Sequence, residues 1–548
     1  MDIKIINDKK YSWHYKETGN VKVIATGSFW YNGKNYRDKK ACNKLADIFS
    51  DNTFDVFSLM ASEAGLKAEI LKLTGHFSFI IDLPGFVLAV VDKIRSYPVF
   101  YATHDETLFI SNSARKLISE LDLHEKDNLS ELEFKMAGYV TGRETLLRDL
   151  YQLQAGESLL WVKESSSFKT ARYYTYLPGS ITDKNEDDLI NELREVTVRT
   201  FTEMVETLDG RPVWIPLSGG LDSRFILAML MELKYDNITT FSYGNVGHPE
   251  VKRAEKIAKM AGVKWHKINF SPKKARNMFY SREREEYFQF ADGLCTTPVL
   301  SDFYALWIMR EKKMITDDAV FINGQSGDFT SGGHIPKGLS NSTIKHDVQF
   351  IMNEIIGKHY SLWADLKSDE NIRFVKDKIL ELLNLEADNG LAREDIVKYF
   401  ELWEWQERQC KFVVNGQRSY EWFGYEWRLP LWSDHYMSFW VNISWEKKFN
   451  QKLFRSYLNK MDPGNIFHTD IGPHPVKKIF ALLCKILFIY SDIVGKDREM
   501  MKRKYLHYFG DYAPFYNQKT YSEYLKDSYW HRNPVSYLSR EVLMTLPD

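Results

Sequence analysis

Residues 213–234 read VWIPLSGGLDSRFILAMLMELK, and their pattern determines the class of fold. The apolar start VWIPL predicts a buried strand, SGGLDS a loop and RFILAMLMELK a helix. The next segments, ITTFSYG (238–244), PEVKRAEKIAKMAG (249–262) and VKWHKINF (263–270), repeat strand, helix and strand. This alternation predicts an α/β fold, a doubly wound parallel sheet that binds a ligand at the carboxyl ends of its strands.

The loop SGGLDS (218–223) has the chemistry of an anion site. It precedes a helix, whose unpaired N–H groups and dipole attract negative charge, and its glycines let a phosphate approach closely. The loop has no G-x-x-x-x-G-K-[ST] pattern, which argues against phosphoryl transfer of the kinase or GTPase type. Asp222 is a hard oxygen ligand suited to Mg²⁺. The alternative is a Gly-Gly turn in which Asp and Ser cap the helix. The candidate nucleotide-binding residues here are Ser218, Gly219, Gly220, Asp222 and Ser223.

The pattern of apolar residues changes near residue 180. Before it, short β-type runs such as HFSFIIDL and FVLAVVD alternate with turns, which predicts a mostly β domain with an antiparallel sheet or sandwich. The polar stretch PGSITDKNE (178–186) then gives way to helical periodicity, and the part after residue 271 is mainly helical with one more strand, AVFING (319–324). We therefore expect two domains, 1–180 and 186–548.

Composition narrows the possible partners and the compartment. The 548 residues include 73 Lys and Arg against 74 Asp and Glu, so no overall field attracts nucleic acid. Four cysteines lie too far apart for a C-x-x-C metal site or a dense disulfide framework. The first residues, MDIKIINDKKYSW, lack the apolar run of a secretory signal. We expect a cytoplasmic protein with reduced thiols and no nucleic-acid partner.

The most apolar stretch is IFALLCKILFIY (479–490). It has 12 residues and contains Lys485, whereas a transmembrane helix needs about 20 apolar residues. We therefore predict no transmembrane segment and favour a buried helix. An interfacial helix assisted by Lys477 and Lys478 is the alternative, which leaves peripheral membrane contact open. A homodimer is also left open.

Four segments of the second domain resemble the asparagine synthetase family. SGGLDS in its strand-loop-helix setting is similar to the pyrophosphate loop of the ATP-pyrophosphatases. FINGQSGDFTSGG (321–333) resembles the S-G-E-G-x-D-E-x-x-G-G loop of the asparagine synthetases. YEWRLPLWSDHY (425–436) resembles E-x-R-x-P-F-L-D with one extra residue, and KLFRSYLNKMDP (452–463) resembles K-x-x-L-R. Upstream, segments such as LTGHFSFIIDL resemble the family's glutamine-amidotransferase domain, so the resemblance covers nearly the whole chain.

The resemblance implies an ATP-dependent amide ligase. Such an enzyme converts a carboxylate into an acyl-adenylate, releases pyrophosphate, and lets ammonia or another amine displace AMP. It implies ATP and Mg²⁺ as cofactors, with Asp222 and Asp328 sharing the metal and Ser242 and Gly324 lining the nucleotide site. For Asp328, the alternative is a side chain that accepts turn N–H groups. By analogy with relatives encoded with surface-polysaccharide pathways, the carboxylate substrate is expected to be a sugar acid.

Three departures limit what the family implies. Asp2 stands where glutamine-hydrolysing members have an N-terminal Cys, so we expect a degenerate amidotransferase-like domain that acts as a scaffold. Gln325 occupies the Glu position of the S-G-E-G loop, on the acceptor side of the site. The family's catalytic Lys aligns with Gln451, which leaves Lys452 one residue away as the candidate. The rival hypothesis is a non-catalytic relative that binds nucleotide or a partner protein.

Overall fold

The computed structural model describes residues 2–50, 63–244, 249–269, 271–341, 346–386, 390–467, 475–502, 508, 519–526 and 534–547. The first part of the chain forms two sheets and four helices within these residues. The strands are β1 (Asp2–Ile6), β2 (His14–Thr18), β3 (Val21–Tyr31), β4 (Lys34–Arg37), β5 (Thr74–Asp82), β6 (Phe86–Val91), β7 (Phe100–His104), β8 (Thr107–Ser111), β9 (Leu150–Gln152), β10 (Glu157–Val162) and β11 (Ser167–Arg172). The helices are Asp38–Ser50, Glu63–Leu71, Ala114–Leu121 and Asn128–Ala137.

The two sheets pack face to face as a sandwich. The larger has the order β11-β10-β6-β5-β3-β2, with β4 beside β3, and its pairs are antiparallel. The smaller has the order β1-β8-β7-β9 and includes one parallel pair, β1 with β8. Strand β6 is buried throughout because Val87, Ala89 and Val91 face the smaller sheet, while Leu88 and Val90 face the first two helices. The prediction of a mostly β domain with antiparallel sheets is confirmed.

The second part of the chain contains a parallel sheet of order β14-β13-β12-β15-β16. Its strands are β12 (Val213–Pro216), β13 (Ile238–Gly244), β14 (Lys264–Asn269), β15 (Val320–Ile322) and β16 (Glu426–Arg428). Both faces are covered, because Trp214 and Phe321 enter one apolar core while Val213 and Val320 enter another. The predicted doubly wound parallel sheet is confirmed. The strand order reverses between β12 and β15, which is where such sheets bind ligands.

Helices fill the rest of this part of the chain. The α-helices that flank the sheet are Glu186–Glu206, Leu221–Glu232, Pro249–Ala261, Pro272–Phe279, Arg282–Ala291, Ser301–Glu311 and Gly327–Thr330. Those that follow are Val348–His359, Asp369–Leu383, Arg393–Trp403, Arg418–Trp422, Asp434–Val441, Trp445–Lys448, Lys452–Met461, Pro475–Ile493, Arg498–Lys502, Tyr521–Lys526 and Val535–Leu543. A π-helix, Glu404–Val413, continues directly from Arg393–Trp403. Short 3₁₀ segments are Lys337–Ser340, Ala364–Leu366, Val414–Gln417, Pro430–Trp432, Phe449–Gln451 and Pro463–Asn465.

The sandwich is fastened to the parallel-sheet region through Asp434. Its Oδ2 atom accepts the main-chain N–H of Gly75 at 2.9 Å, and its Oδ1 atom pairs with Lys93. The indole of Trp405 donates to the carbonyl of Lys93 at 2.9 Å. The boundary near residue 180 remains a prediction; Asn185 caps the helix that begins at Glu186.

One expectation about the helices is wrong. The apolar stretch 479–490 lies in the helix Pro475–Ile493, but its outward side chains are exposed rather than buried, as Leu482 and Ile489 show. An apolar run is buried only where other elements cover it, and no local pattern reveals that cover. None of the described helices is long and apolar enough to cross a bilayer.

Candidate nucleotide and metal site

The loop after β12 is held by its own serines. Ser223 Oγ accepts the N–H of Ser218 at 3.0 Å, and Ser218 Oγ accepts the N–H of Gly220 at 3.1 Å. Gly220 is the N-cap of the helix Leu221–Glu232, and no side chain in the described part of the chain caps it. The capping alternative is therefore not observed. The end of the helix keeps N–H groups that suit an anionic ligand.

Two arginines flank this loop. A Cβ atom on Gly219 would lie 2.6 Å from Cδ of Arg253, so only glycine at this position allows the aliphatic part of the Arg253 side chain to lie against the loop. Arg224 Nη2 donates to the carbonyl of Gly219 at 3.4 Å. Its Nε atom is buried and has no hydrogen-bond partner among the described residues. These cations complement the phosphates for which the loop is suited.

Asp222 is brought to the loop that follows β15. Its Oδ2 atom accepts the main-chain N–H of Asp328 at 3.0 Å. The approach requires glycine at position 324, because a Cβ there would lie 2.7 Å from the carbonyl carbon of Asp222. The two predicted residues are thus brought together at the reversal of strand order between β12 and β15.

The environment of Asp222 fits a cation. Its Oδ1 atom is buried and lacks a hydrogen-bond partner within the described ranges. Burial and the negative charge of Asp328 raise the pKa of Asp222 to about 8. No group of three or more His, Cys, Asp or Glu among the described residues is arranged to hold a metal ion. Two carboxylates plus substrate phosphates match Mg²⁺, which is held by few protein ligands.

A histidine links Asp328 to the π-helix. His334 Nε2 lies 3.1 Å from Asp328 Oδ2, and its Nδ1 lies 3.1 Å from Oε2 of Glu404. Oε1 of Glu404, which begins the π-helix, lies 2.8 Å from Nε2 of His359. Partial burial lowers the pKa of His334, but hydrogen bonds to the carboxylates of Asp328 and Glu404 raise it to about 9. The imidazolium therefore fixes the orientation of the Asp328 carboxylate.

The region around Gln325, which we expected on the acceptor side of the site, contains a chain of amide side chains. Gln325 Oε1 accepts from Gln417 Nε2 at 2.8 Å, and Gln417 Oε1 accepts from Asn323 Nδ2 at 2.8 Å. The next residue, Ser326, donates its hydroxyl to Gln409 of the π-helix at 2.6 Å. The side chains in this chain of hydrogen bonds are polar and uncharged.

The hydroxyl of Ser242 connects the sheet to the loop. It donates to the carbonyl of Leu217 at 2.7 Å and accepts from the indole of Trp265 at 3.0 Å. Since both bonds lie within the protein, this hydroxyl holds the end of β12 in place.

Gln451 and the cationic residues near it occupy different positions relative to Asp222 and Asp328. Gln451 donates to Ser331 Oγ at 2.9 Å, in the loop that carries Asp328. Lys452 begins the next helix with its side chain exposed, so the structure does not place it among the buried residues around Asp222 and Asp328. Lys448 is buried and pairs with Glu401 at 2.7 Å. Arg455 acts on the site, because its charge lowers the pKa of Asp222 against the stronger effect of burial.

Sequence reasoning did not select Arg224, Arg253, His334, Glu404 or Arg455 as site residues. Arg224 and His334 lie within one or two residues of recognised loops, which could have marked them. Arg253 and Glu404 have no such signal, since helix packing alone brings them to the site.

About half of the chain is similar to a known protein family. The asparagine synthase family model matches residues 197–468, which include both loops and the segments around Gln325 and Lys452. A search of curated proteins gave no significant match.

Two solved structures are similar to parts of the chain. Glutamine phosphoribosylpyrophosphate amidotransferase from B. subtilis, complexed with ADP and GMP, is 10% identical over 58% of this chain and 58% of that chain, with a TM-score of 0.19. The allosteric regulatory enzyme of purine biosynthesis is 11% identical over 57% of each chain, with a TM-score of 0.20. The chain thus spans less than two thirds of these proteins. On the family match and the parallel sheet, residues 197–468 form an asparagine synthase domain with an α/β fold.

Proposed function

We propose that this protein is an ATP-dependent carbon–nitrogen ligase that activates a carboxylate as an acyl-adenylate. A carboxylate oxygen of the substrate attacks the α-phosphorus of ATP, and pyrophosphate leaves. The nitrogen of ammonia or another amine then attacks the acyl carbon, AMP leaves with the bonding electrons, and the nitrogen loses a proton. The observation that carries the proposal is the meeting of Asp222 and Asp328 beside a Gly-rich helix terminus.

The leaving pyrophosphate is the group that this site is suited to stabilise. The N–H groups of the loop 218–223 and the guanidinium groups of Arg224 and Arg253 face negative charge there. Asp222 and Asp328 would hold Mg²⁺, which neutralises phosphate charge when bound. His334 keeps the Asp328 carboxylate oriented between loop and π-helix.

The acceptor side of the site favours an uncharged, hydroxyl-rich substrate body. Gln325 replaces a carboxylate there and belongs to a chain of amide hydrogen bonds with Gln417 and Asn323. Amides both donate to and accept from hydroxyl groups, which suits a sugar acid. Lys452 remains the cation that we propose for the acyl phosphate. We place the reaction in the cytoplasm, with the sandwich domain as a scaffold.

The alternative function is nucleotide or protein binding without catalysis. A buried Asp222 oxygen without a hydrogen-bond partner lowers the free energy of unfolding, and a protein without catalytic activity gains nothing in return. Its retention beside Asp328 favours the ligase.

The products of ATP cleavage distinguish these functions. The purified protein is incubated with ATP, Mg²⁺, ammonium and a series of sugar acids, and nucleotides and pyrophosphate are quantified. AMP and pyrophosphate in equal amounts, formed only with a particular acid, are expected. ADP with inorganic phosphate, or nucleotide binding without cleavage with any acid, would contradict the proposal.

A further inference from the structure

The helix Pro475–Ile493 and the residue that follows it expose a continuous stripe of large apolar side chains. These side chains are 39–77% exposed: Leu482, Leu483, Ile486, Ile489, Tyr490, Ile493 and Val494. The other large exposed apolar side chains in the described part of the chain lie scattered in sequence, as Tyr15, Leu129, Ile181, Met260, Tyr280 and Met544 do. Scattered exposure is ordinary, but a contiguous apolar patch marks an interaction surface.

The stripe follows the helical repeat. Positions 482, 486, 489 and 493 are spaced by four, three and four residues, and 483, 490 and 494 by seven and four, so all seven lie within about 140° of the helix circumference. On the opposite side, Ser491 is buried, and the guanidinium carbon of Arg498, in the short helix that follows, lies 5.8 Å from the ring centroid of Phe488. The helix therefore presents its apolar face to solvent.

The charge around the stripe identifies its partner. Residues 475–504 contain eight Lys and Arg against three Asp and Glu, whereas the whole chain has a formal charge of -1. Lys485 is exposed at the edge of the apolar arc, and Asp492, near the same edge, is already paired with Arg498. An apolar face with a basic border is typical of a helix that lies in the surface of an anionic membrane.

We propose that this helix docks the protein on an anionic lipid bilayer, with Leu482, Ile486 and Ile489 inserted among the lipid chains. The helix lies parallel to the membrane, because its 19 residues are too polar to span it. Lys485 is then level with the lipid phosphates. The proposal concerns a surface separate from the Asp222 site and does not depend on the ligase activity.

Vesicle binding by the full-length protein tests this surface. The protein is sedimented with vesicles of phosphatidylcholine alone or with about a third phosphatidylglycerol, at low and high salt. Binding to the anionic vesicles is expected to weaken as salt rises. Ile489→Glu is expected to reduce the partition coefficient at least about tenfold, because a carboxylate replaces an inserted side chain. Lys485→Gln is expected to reduce it about fivefold and to lessen its salt dependence.

Leu129→Glu is the matched control, since Leu129 is similarly exposed on another helix and the charge change is the same. It should bind vesicles like the unchanged protein, and all variants should melt at the same temperature. Absence of vesicle binding, or equal binding by Ile489→Glu, would overturn the proposal. A dimer in analytical ultracentrifugation that becomes a monomer in Ile489→Glu would also overturn the proposal. The apolar face would then be the interface between two copies of this chain. If Ile489→Glu does not fold, the vesicle binding of Lys485→Gln and the dependence of binding on salt test the proposal instead.

Discussion

Asp222 Oδ2 accepts the main-chain N–H of Asp328 at 3.0 Å, although Asp328 lies 106 positions further along the chain. The contact joins the loops that follow β12 and β15, the two strands between which the order of the sheet reverses. It also uses one oxygen of Asp222 and leaves the other buried without a partner in the described part of the protein. The carboxylate is thus fixed in place by one oxygen, and the other is the oxygen that we propose as a cation ligand.

Asp222→Asn separates the fold from the chemistry. The amide oxygen can still accept the N–H of Asp328, so the melting temperature should change little. The negative charge is lost, so pyrophosphate release should fall by about a hundredfold or more. Asp236→Asn, an exposed change before β13, is the control and should retain full turnover. Unchanged pyrophosphate release by Asp222→Asn would remove this residue from the proposed metal site.

His334→Gln tests a positioning role. Without the imidazolium, the Asp328 carboxylate loses the partner that orients it, and Mg²⁺ should bind about 10-fold to 100-fold more weakly. The measurement is the Mg²⁺ concentration that gives half-maximal pyrophosphate release, with kcat recorded at saturating Mg²⁺. His346→Gln, outside this contact network, should leave that concentration unchanged. A lower kcat with the same Mg²⁺ requirement would assign His334 a different role.

Lys448 and Lys452 should respond differently to replacement by Ala. Lys448→Ala leaves Glu401 buried without its partner, so the free energy of unfolding should fall by about 3–5 kcal/mol. Lys452 is exposed, so Lys452→Ala should change stability by less than about 0.5 kcal/mol. It should lower the rate of adenylation far more than it weakens ATP binding.

Denaturant titration and pre-steady-state pyrophosphate release measure the two effects. Full adenylation by Lys452→Ala would exclude it as the catalytic cation. Arg455→Ala would then be the next variant, since Arg455 already acts on Asp222.

Local patterns revealed most of the fold and part of the candidate site. The alternation around SGGLDS predicted the parallel sheet, and two Gly-rich loops identified Asp222 and Asp328. Glu404 could not be found in this way, because it reaches His334 from a π-helix 76 residues after Asp328. The exposure of Ile489 was missed for a related reason: a local apolar pattern shows which residues avoid water but not what covers them.

Glu426→Gln should alter acid stability. Partial burial raises the pKa of Glu426, but a hydrogen bond from Arg211 and the charge of Arg428 lower it to about 2. Since the unperturbed value is 4.5, this carboxylate contributes stability above pH 4.5 and loses it as the pH falls towards 2. Glu426→Gln should therefore melt at a lower temperature at pH 7, and the difference should shrink below pH 4.5. Glu164→Gln, exposed in a turn, should follow the unchanged protein at every pH.

The last prediction is that this chain does not hydrolyse glutamine. Amide hydrolysis by a thiol needs an accessible thiolate near a base. Burial raises the pKa of the Cys42 thiol to about 11, and burial likewise raises the pKa of Cys295 and of Cys410. Cys484 is half-buried in the middle of the helix Pro475–Ile493.

Glutamate release is the measurement for this prediction. The protein is incubated with glutamine, with and without ATP and the acceptor acid, and glutamate is quantified beside the amide product. Product should form with ammonium salts but not with glutamine, because we propose that ammonia or an amine enters from solvent. Cys42→Ala should behave like the unchanged protein, since a buried protonated thiol is no nucleophile. Glutamate formed in step with product would contradict the prediction, and its loss in Cys42→Ala would identify the thiol responsible.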